Sequence, residues 1–296
     1  MDTNNFEYLK KSLDFLGFGT HLNKVLEEGI AKQSPSFSIG FNQRYIPSEF
    51  KSNPTGGVDQ MHFELRFNKS KTSEVYFLNA MDAKLIRYDN PVAIQKRFEM
   101  DNHNRISALQ AYKLLCGQSF QKDIFVQDLD DLDGNKSKRI PVWHKLDLKV
   151  TDKDGEHPMK FFFPEYGFDL ANTLERYPIL DMQDTEKRES VIKALRFGNL
   201  ISLKMEVEGK TIPVYLSADP EFKCLNVYNE HMHPLGNEQL FTGTDRNQNV
   251  APGFSQPVDE PGQQASFKIK RWIDFLPHPW LNFTVQKFSA ERLEDV

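Results

Sequence analysis

Glu230-His-Met-His233 comes nearest to reactive chemistry among the short segments of this chain. Two imidazoles at i and i+2 share a face of an extended backbone, and neutral imidazole is a common zinc ligand. Cys224, seven residues before His231, would add a thiolate. His231 and His233 therefore open the reading of a metal-dependent hydrolase. A third and fourth ligand in a familiar spacing do not follow, and Pro234 comes at once, so a strand-end loop carrying two exposed histidines is the simpler interpretation.

The acidic run Asp128-Leu-Asp-Asp-Leu-Asp-Gly-Asn135 suggests a calcium loop until its register is tested. With Gly134 at the sixth position, Leu129 and Ile140 occupy the first and twelfth, where carboxylates are required. Asp152-Lys-Asp-Gly-Glu156 fails similarly, with Val150 first. His21, His62, His103, His144, His157 and His278 stand singly, outside any HExxH. GxSxG, Walker A and dinucleotide patterns do not occur, and Gly17-Phe-Gly19 follows a helical pattern as a helix stop. The expectation is a chain without a cofactor, more a binder than an enzyme.

Binding chemistry is concentrated near the end. Lys268, Lys270 and Arg271 precede Trp272, Phe275, Trp280 and Phe283. Cations with aromatic rings can stack on bases or anchor in a partner's groove. The plainer reading is that this segment packs on its own domain.

The elements that must position these groups are legible from periodicity. Phe6, Leu9, Leu13 and Leu16 recur at helical spacing, and after Gly17 and Gly19 a second helix carries Leu22, Val25, Leu26 and Ile30, with Thr20 as its expected cap. Alternation then marks strands through Phe37–Phe41, Met61–Phe67 and Val75–Asn79, within a region of changed period from Phe37 to Arg87. A helix over Ser107–Cys116 places Leu109, Tyr112, Leu115 and Cys116 on one side and stops at Gly117. Strands are expected at Asp123–Gln127, Ile140–Val150 and Met159–Phe163, and helices at Asp169–Tyr177 and Thr185–Phe197. A final set of strands covers Leu200–Val207, Thr211–Leu216 and Cys224–Tyr228.

One pattern occurs twice: a helix, a Gly, a strand, a turn, then Ile-Pro-Val-aromatic. It runs from Ala111 to Trp143 and again from Ile192 to Tyr215. Proline cannot donate to a ladder, so Pro141 and Pro213 are expected at a strand start or an edge. The fold class that follows is α+β, with two related helix-plus-antiparallel-sheet units, a linker and an aromatic C-terminal segment. The expected boundaries are 1–105 (helical hairpin plus strands), 106–240 (repeated units), 241–266 (linker rich in Gly, Pro, Asn and Gln) and 267–296.

The chain has 296 residues, 39% of them hydrophobic, enough for a sizeable core. Its net charge is −5, and residues 1–150 carry 21 basic against 19 acidic side chains, which does not favour a duplex-binding surface. No window approaches the length of a membrane span, the first 15 residues do not read as a leader, and two cysteines 108 residues apart suit a reducing compartment; a cytoplasmic protein is expected.

Tyr166-Gly-Phe-Asp-Leu-Ala-Asn-Thr-Leu-Glu-Arg-Tyr-Pro-Ile179 and Ala218-Asp-Pro-Glu-Phe-Lys-Cys-Leu-Asn-Val-Tyr228 resemble segments of a poorly characterised family associated with conjugative and other mobile elements of Bacteroidetes, as do Phe15-Leu-Gly-Phe-Gly19 and Leu114-Leu-Cys-Gly117. The likeness covers about residues 6–235. It implies an accessory role in mobile-element biology and transfers no site residue. The expectation is a non-catalytic binding or adaptor protein with a protein partner and no membrane; nucleic-acid binding through a local basic and aromatic face, and the hydrolase above, stay open beside it. The oligomeric state is not legible.

Overall fold

The computed structural model describes residues 2–51, 56–101, 105–127, 137–153, 155–180 and 182–241. The acidic run 128–136, the linker beyond 241 and all the aromatic-tail candidates (Lys268, Lys270, Arg271, Trp272, Phe275, Trp280, Phe283) lie outside them. The chain divides into two units, Met1–Phe254 and Ser255–Val296; the first is described here.

Helix α1 (Thr3–Phe15) starts where Asp2 accepts a hydrogen bond from the Asn5 amide at 3.0 Å, and buries Leu9 and Leu13. Helix α2 (Asn23–Ala31) buries Leu26 and Ile30. Thr20 does not cap it by its side chain: the cap position is Leu22, and Thr20 contributes only its carbonyl, to the Asn23 amide. Both helices share a core with one face of a four-stranded antiparallel sheet, β1 (Ser36–Tyr45), β2 (Asp59–Lys69), β3 (Tyr76–Arg87) and β4 (Asn90–Glu99), in that order. Along β2, Met61, Phe63, Leu65 and Phe67 are fully buried while Gln60, His62 and Asn68 are exposed, the period of two expected of a sheet covered on one side. Asn5 fixes α1 to the sheet: its amide donates to the Tyr76 carbonyl at 3.0 Å and accepts from the Tyr76 N–H at 2.8 Å.

Helix α3 (Ala108–Leu115) opens with a capping box between Ser107 and Gln110. It leads into β5 (Phe120–Gln127), β6 (Ser137–Leu146) and β7 (Met159–Phe162), an antiparallel meander with β6 in the middle. Helices α4 (Leu170–Glu175) and α5 (Thr185–Arg196) precede a second meander, β8 (Ile201–Val207), β9 (Lys210–Asp219) and β10 (Cys224–Tyr228), again with its second strand central; α6 (Asn237–Leu240) follows. Strand β6 partitions two cores. Phe120 and Leu146 belong to the core of α1, α2, α3 and the first sheet, whereas Trp143 and Phe162 belong to the core of α4, α5 and the last sheet.

The repeated pattern corresponds to repeated geometry. Helix α3 ends at Gly117 (φ +79°) and α5 at Gly198 (φ +71°), each in the left-handed region that releases the chain into a strand. Counted from these glycines, Asp123 and Lys204 are equivalent, and they are the residues paired with Pro141 and Pro213. Ile124 pairs with Ile140 as Met205 pairs with Ile212. Both prolines sit inside central strands and not at strand starts. Their neighbourhood is nevertheless an edge, because the pairing of β6 with β7 stops at Trp143 and that of β9 with β10 stops at Tyr215, each two residues short of the proline. A missing N–H is tolerated where no strand lies opposite it.

Candidate functional site

The first turns of α3, the edge of β5 and the end of α5 meet around an open groove of about 510 Å³. Four consecutive residues of β5, Phe120 to Asp123, line it, so both faces of that strand border the opening. Leu109, Gln110 and Lys113 form the α3 wall, and Phe197, just past α5, stands on the other side. Strand β5 is the outer strand of its sheet. Leu109 and Phe197 are about half exposed (49% and 58%) and put apolar surface on both walls of the groove. The sequence put Leu109 on the helix's buried side. Tyr112, Leu114 and Leu115 take that side instead and turn Leu109 outward.

Lys113 joins the two walls. Its ammonium donates to the Phe197 carbonyl at 2.5 Å and to Asn199 Oδ1 at 2.7 Å, at the negative end of the α5 dipole. Burial, with the charge of Lys51 adding to it, pulls the Lys113 ammonium down to about 8. Lys122 donates to the Arg105 carbonyl, and burial lowers it too, with Arg105 acting in the same sense and Asp101 opposing. Two lysines and one carboxylate, Asp123, thus line the groove, and an anionic group entering on the lysine side would be favoured. Gly198 permits the close approach that shapes this corner, since a Cβ there would sit 2.7 Å from the Ser119 carbonyl oxygen.

Other polar clusters are satisfied internally. Asp59, wholly buried, accepts from the Tyr112 hydroxyl at 2.8 Å and from the Tyr88 amide at 2.9 Å, while Tyr45 stacks on Tyr112 with ring centroids 4.3 Å apart. Lys145 bridges Asp219 at 2.7 Å and Glu221 at 3.0 Å, and Lys160 bridges Asp147 at 2.7 Å and Glu221, tying β6 and β7 to the turn between β9 and β10. His144 stacks on Phe120 and meets Phe161 edge to face, and burial pulls its imidazole down to about 4, so it is neutral at pH 7. Burial pushes the thiols of Cys116 and Cys224 up to about 12, opposite to what a reactive thiolate needs.

His231 and His233 follow β10 on a tight turn. The backbone there is not extended: Met232 between them has φ +61°, and both histidine amides donate to Asn229 Oδ1, at 3.0 and 2.9 Å. Their ring centroids are 6.3 Å apart and both side chains are exposed, whereas Cys224 is buried in β10. Among the described residues, no three or more His, Cys, Asp or Glu side chains gather as a metal-binding set. No helix among them is long and apolar enough to cross a membrane.

Sequence reasoning missed the groove because its second wall, Phe197, lies tens of residues beyond the Ser107–Asp123 stretch that supplies the rest. The usable signal was Phe197, an aromatic residue at a helix end. Compared with protein-family models, curated proteins and solved structures, the chain matches none.

Proposed function

We propose that the protein acts by binding another protein, as a non-catalytic adaptor, with the groove between α3, β5 and Phe197 as its contact surface. The observation that carries this reading is the coincidence, at one concave site, of an outer strand, two half-exposed apolar side chains and two lysines. Apolar anchors with a charged rim are the ingredients of protein recognition. The resemblance to mobile-element proteins supports an accessory role there. The basic and aromatic residues Lys268 to Phe283 would provide a second contact region.

The test is comparative capture with the intact chain. Wild type and a Leu109→Ser/Phe197→Ser double variant are immobilised and exposed to lysate of the source cells. A protein retained by wild type and lost from a double variant of unchanged melting temperature is the expected result. Equal retention by both would remove the groove from the function, and an unchanged pattern combined with loss on Trp272→Ala/Trp280→Ala would move the contact to the C-terminal segment.

A further inference from the structure

The second repeat already contains an example of what the groove in the first can accept. Strand β8 occupies the place in its meander that β5 occupies in the other, and its outer side is covered. The segment Pro178-Ile-Leu180 lies against it as a short antiparallel strand, with Ile179 opposite Met205. The Leu180 N–H donates to the Lys204 carbonyl and the Glu206 N–H donates to the Pro178 carbonyl, both at 2.9 Å. A backbone carbonyl used outward belongs to a pair that turns its peptide groups away from the neighbouring strand. Lys204 and Pro213 are therefore such a pair. Asp123 and Pro141 stand in the same register, so the Asp123 carbonyl, and the peptide groups of Gln121 two residues earlier, turn outward along β5 into the groove.

From this geometry we infer that the outer edge of β5 takes an extended peptide as a fourth, antiparallel strand, and that the peptide alternates acidic with apolar side chains. This rests on the adaptor reading above and specifies its partner. Main-chain hydrogen bonds to Gln121 and Asp123 set the peptide's register, and alternate side chains fall on the two walls. Those turned toward α3 meet Lys113 and Lys122, whose ammonium groups donate to backbone carbonyls, and an Asp or Glu there offers them a carboxylate acceptor. Those turned the other way meet Phe197, where an aliphatic residue covers exposed ring. The volume of the groove lies within the range of about 300–1,000 Å³ typical of ligand sites.

The probe is a blocked, fluorescein-labelled octapeptide alternating Glu with Val, titrated into the intact chain and followed by anisotropy. Saturable binding is expected, with amide exchange slowed at Gln121 and Asp123. N-methylation of alternate peptide amides should weaken it between about twofold and tenfold for each hydrogen bond lost. Asp123→Pro should do the same from the protein's side, because proline there removes an outward N–H and leaves the pairing with β6 intact. A peptide alternating Lys with Val should bind at least tenfold more weakly. Equal binding by the N-methylated peptide refutes strand addition, and this comparison uses wild type alone, so it holds even if the proline variant does not fold. Preference for the Lys peptide, or binding of a single-stranded oligonucleotide in place of the Glu peptide, refutes the assigned chemistry. If no peptide binds while the Leu109→Ser/Phe197→Ser variant still loses its captured protein, strand addition fails and the adaptor reading survives; if capture is also unchanged, both fail.

Discussion

Replacing Gly198 by Ala separates two costs that usually come together. Gly198 and Gly209 have nearly the same backbone conformation, φ +71° and +70°, but different surroundings. A Cβ on Gly209 meets nothing within 4 Å, whereas one on Gly198 falls 2.7 Å from the Ser119 carbonyl oxygen and 3.0 Å from the Phe120 Cβ, groups tied to the backbone of another element. Each Ala pays about 1–2 kcal/mol for left-handed conformation, and each gains about 0.4–1 kcal/mol by restricting the unfolded chain. Both terms cancel in the comparison. What is left is the collision at Gly198, about 1–3 kcal/mol on the scale of overpacked sites. Urea unfolding of the intact variants, followed by far-UV circular dichroism with a common slope, measures the difference. Gly198→Ala should be the less stable by that margin, and its peptide titration should weaken because Phe197 must shift. Midpoints equal to within about 0.5 kcal/mol would refute the close packing of α5 against the start of β5.

Two further predictions concern buried charge. His144 titrates near 4 in the folded chain and near 6.5 when unfolded, so the unfolded state binds more protons between those values and stability rises with pH across them. Acidification from about pH 6.5 to pH 4 should therefore remove about 3 kcal/mol, and His144→Phe, which keeps a ring between Phe120 and Phe161, should flatten this part of a pH series of urea midpoints; an unchanged acid limb would show the imidazole to be hydrated. Lys145→Ala leaves Asp219, whose side chain is 6% exposed, without its ammonium and should cost about 3 kcal/mol in thermal or urea unfolding, while Lys149→Ala, which removes a cation above the Phe222 ring at the protein surface, should cost well under 1 kcal/mol. Similar losses in the two variants would remove the Lys145 bridge as a support of the fold.

Strands such as Met61–Phe67 were legible because the sheet is covered on one side only, so burial alternates with period two and hydropathy follows it. The repeat was legible because Gly117 and Gly198 stop helices by a backbone requirement, and because Pro141 and Pro213 lack an N–H and so limit strand pairing; these constraints act residue by residue. Strand β4 was not legible. Asn90–Glu99 lies at the sheet's edge, most of its residues are exposed, and Phe98 alone is buried, so tertiary pairing overrides a sequence that shows no period. The groove escaped for a related reason: its lysines look like any solvated cations until α5 brings Phe197 and Asn199 onto Lys113, 84 and 86 residues away. His231 and His233 attracted attention by spacing alone, and the left-handed Met232 between them shows how one backbone angle changes which way a two-residue spacing aims.

Pro141 and Pro213 also govern how these meanders can vary. Lengthening β7 or β10 by two residues would bring a new strand opposite an imide nitrogen that has nothing to donate. Substitutions in the third strands alone therefore cannot extend the ladder past this point, and neither sheet can widen there on the proline's side whatever sequence drifts in beside it. A change of width would have to begin at the proline itself.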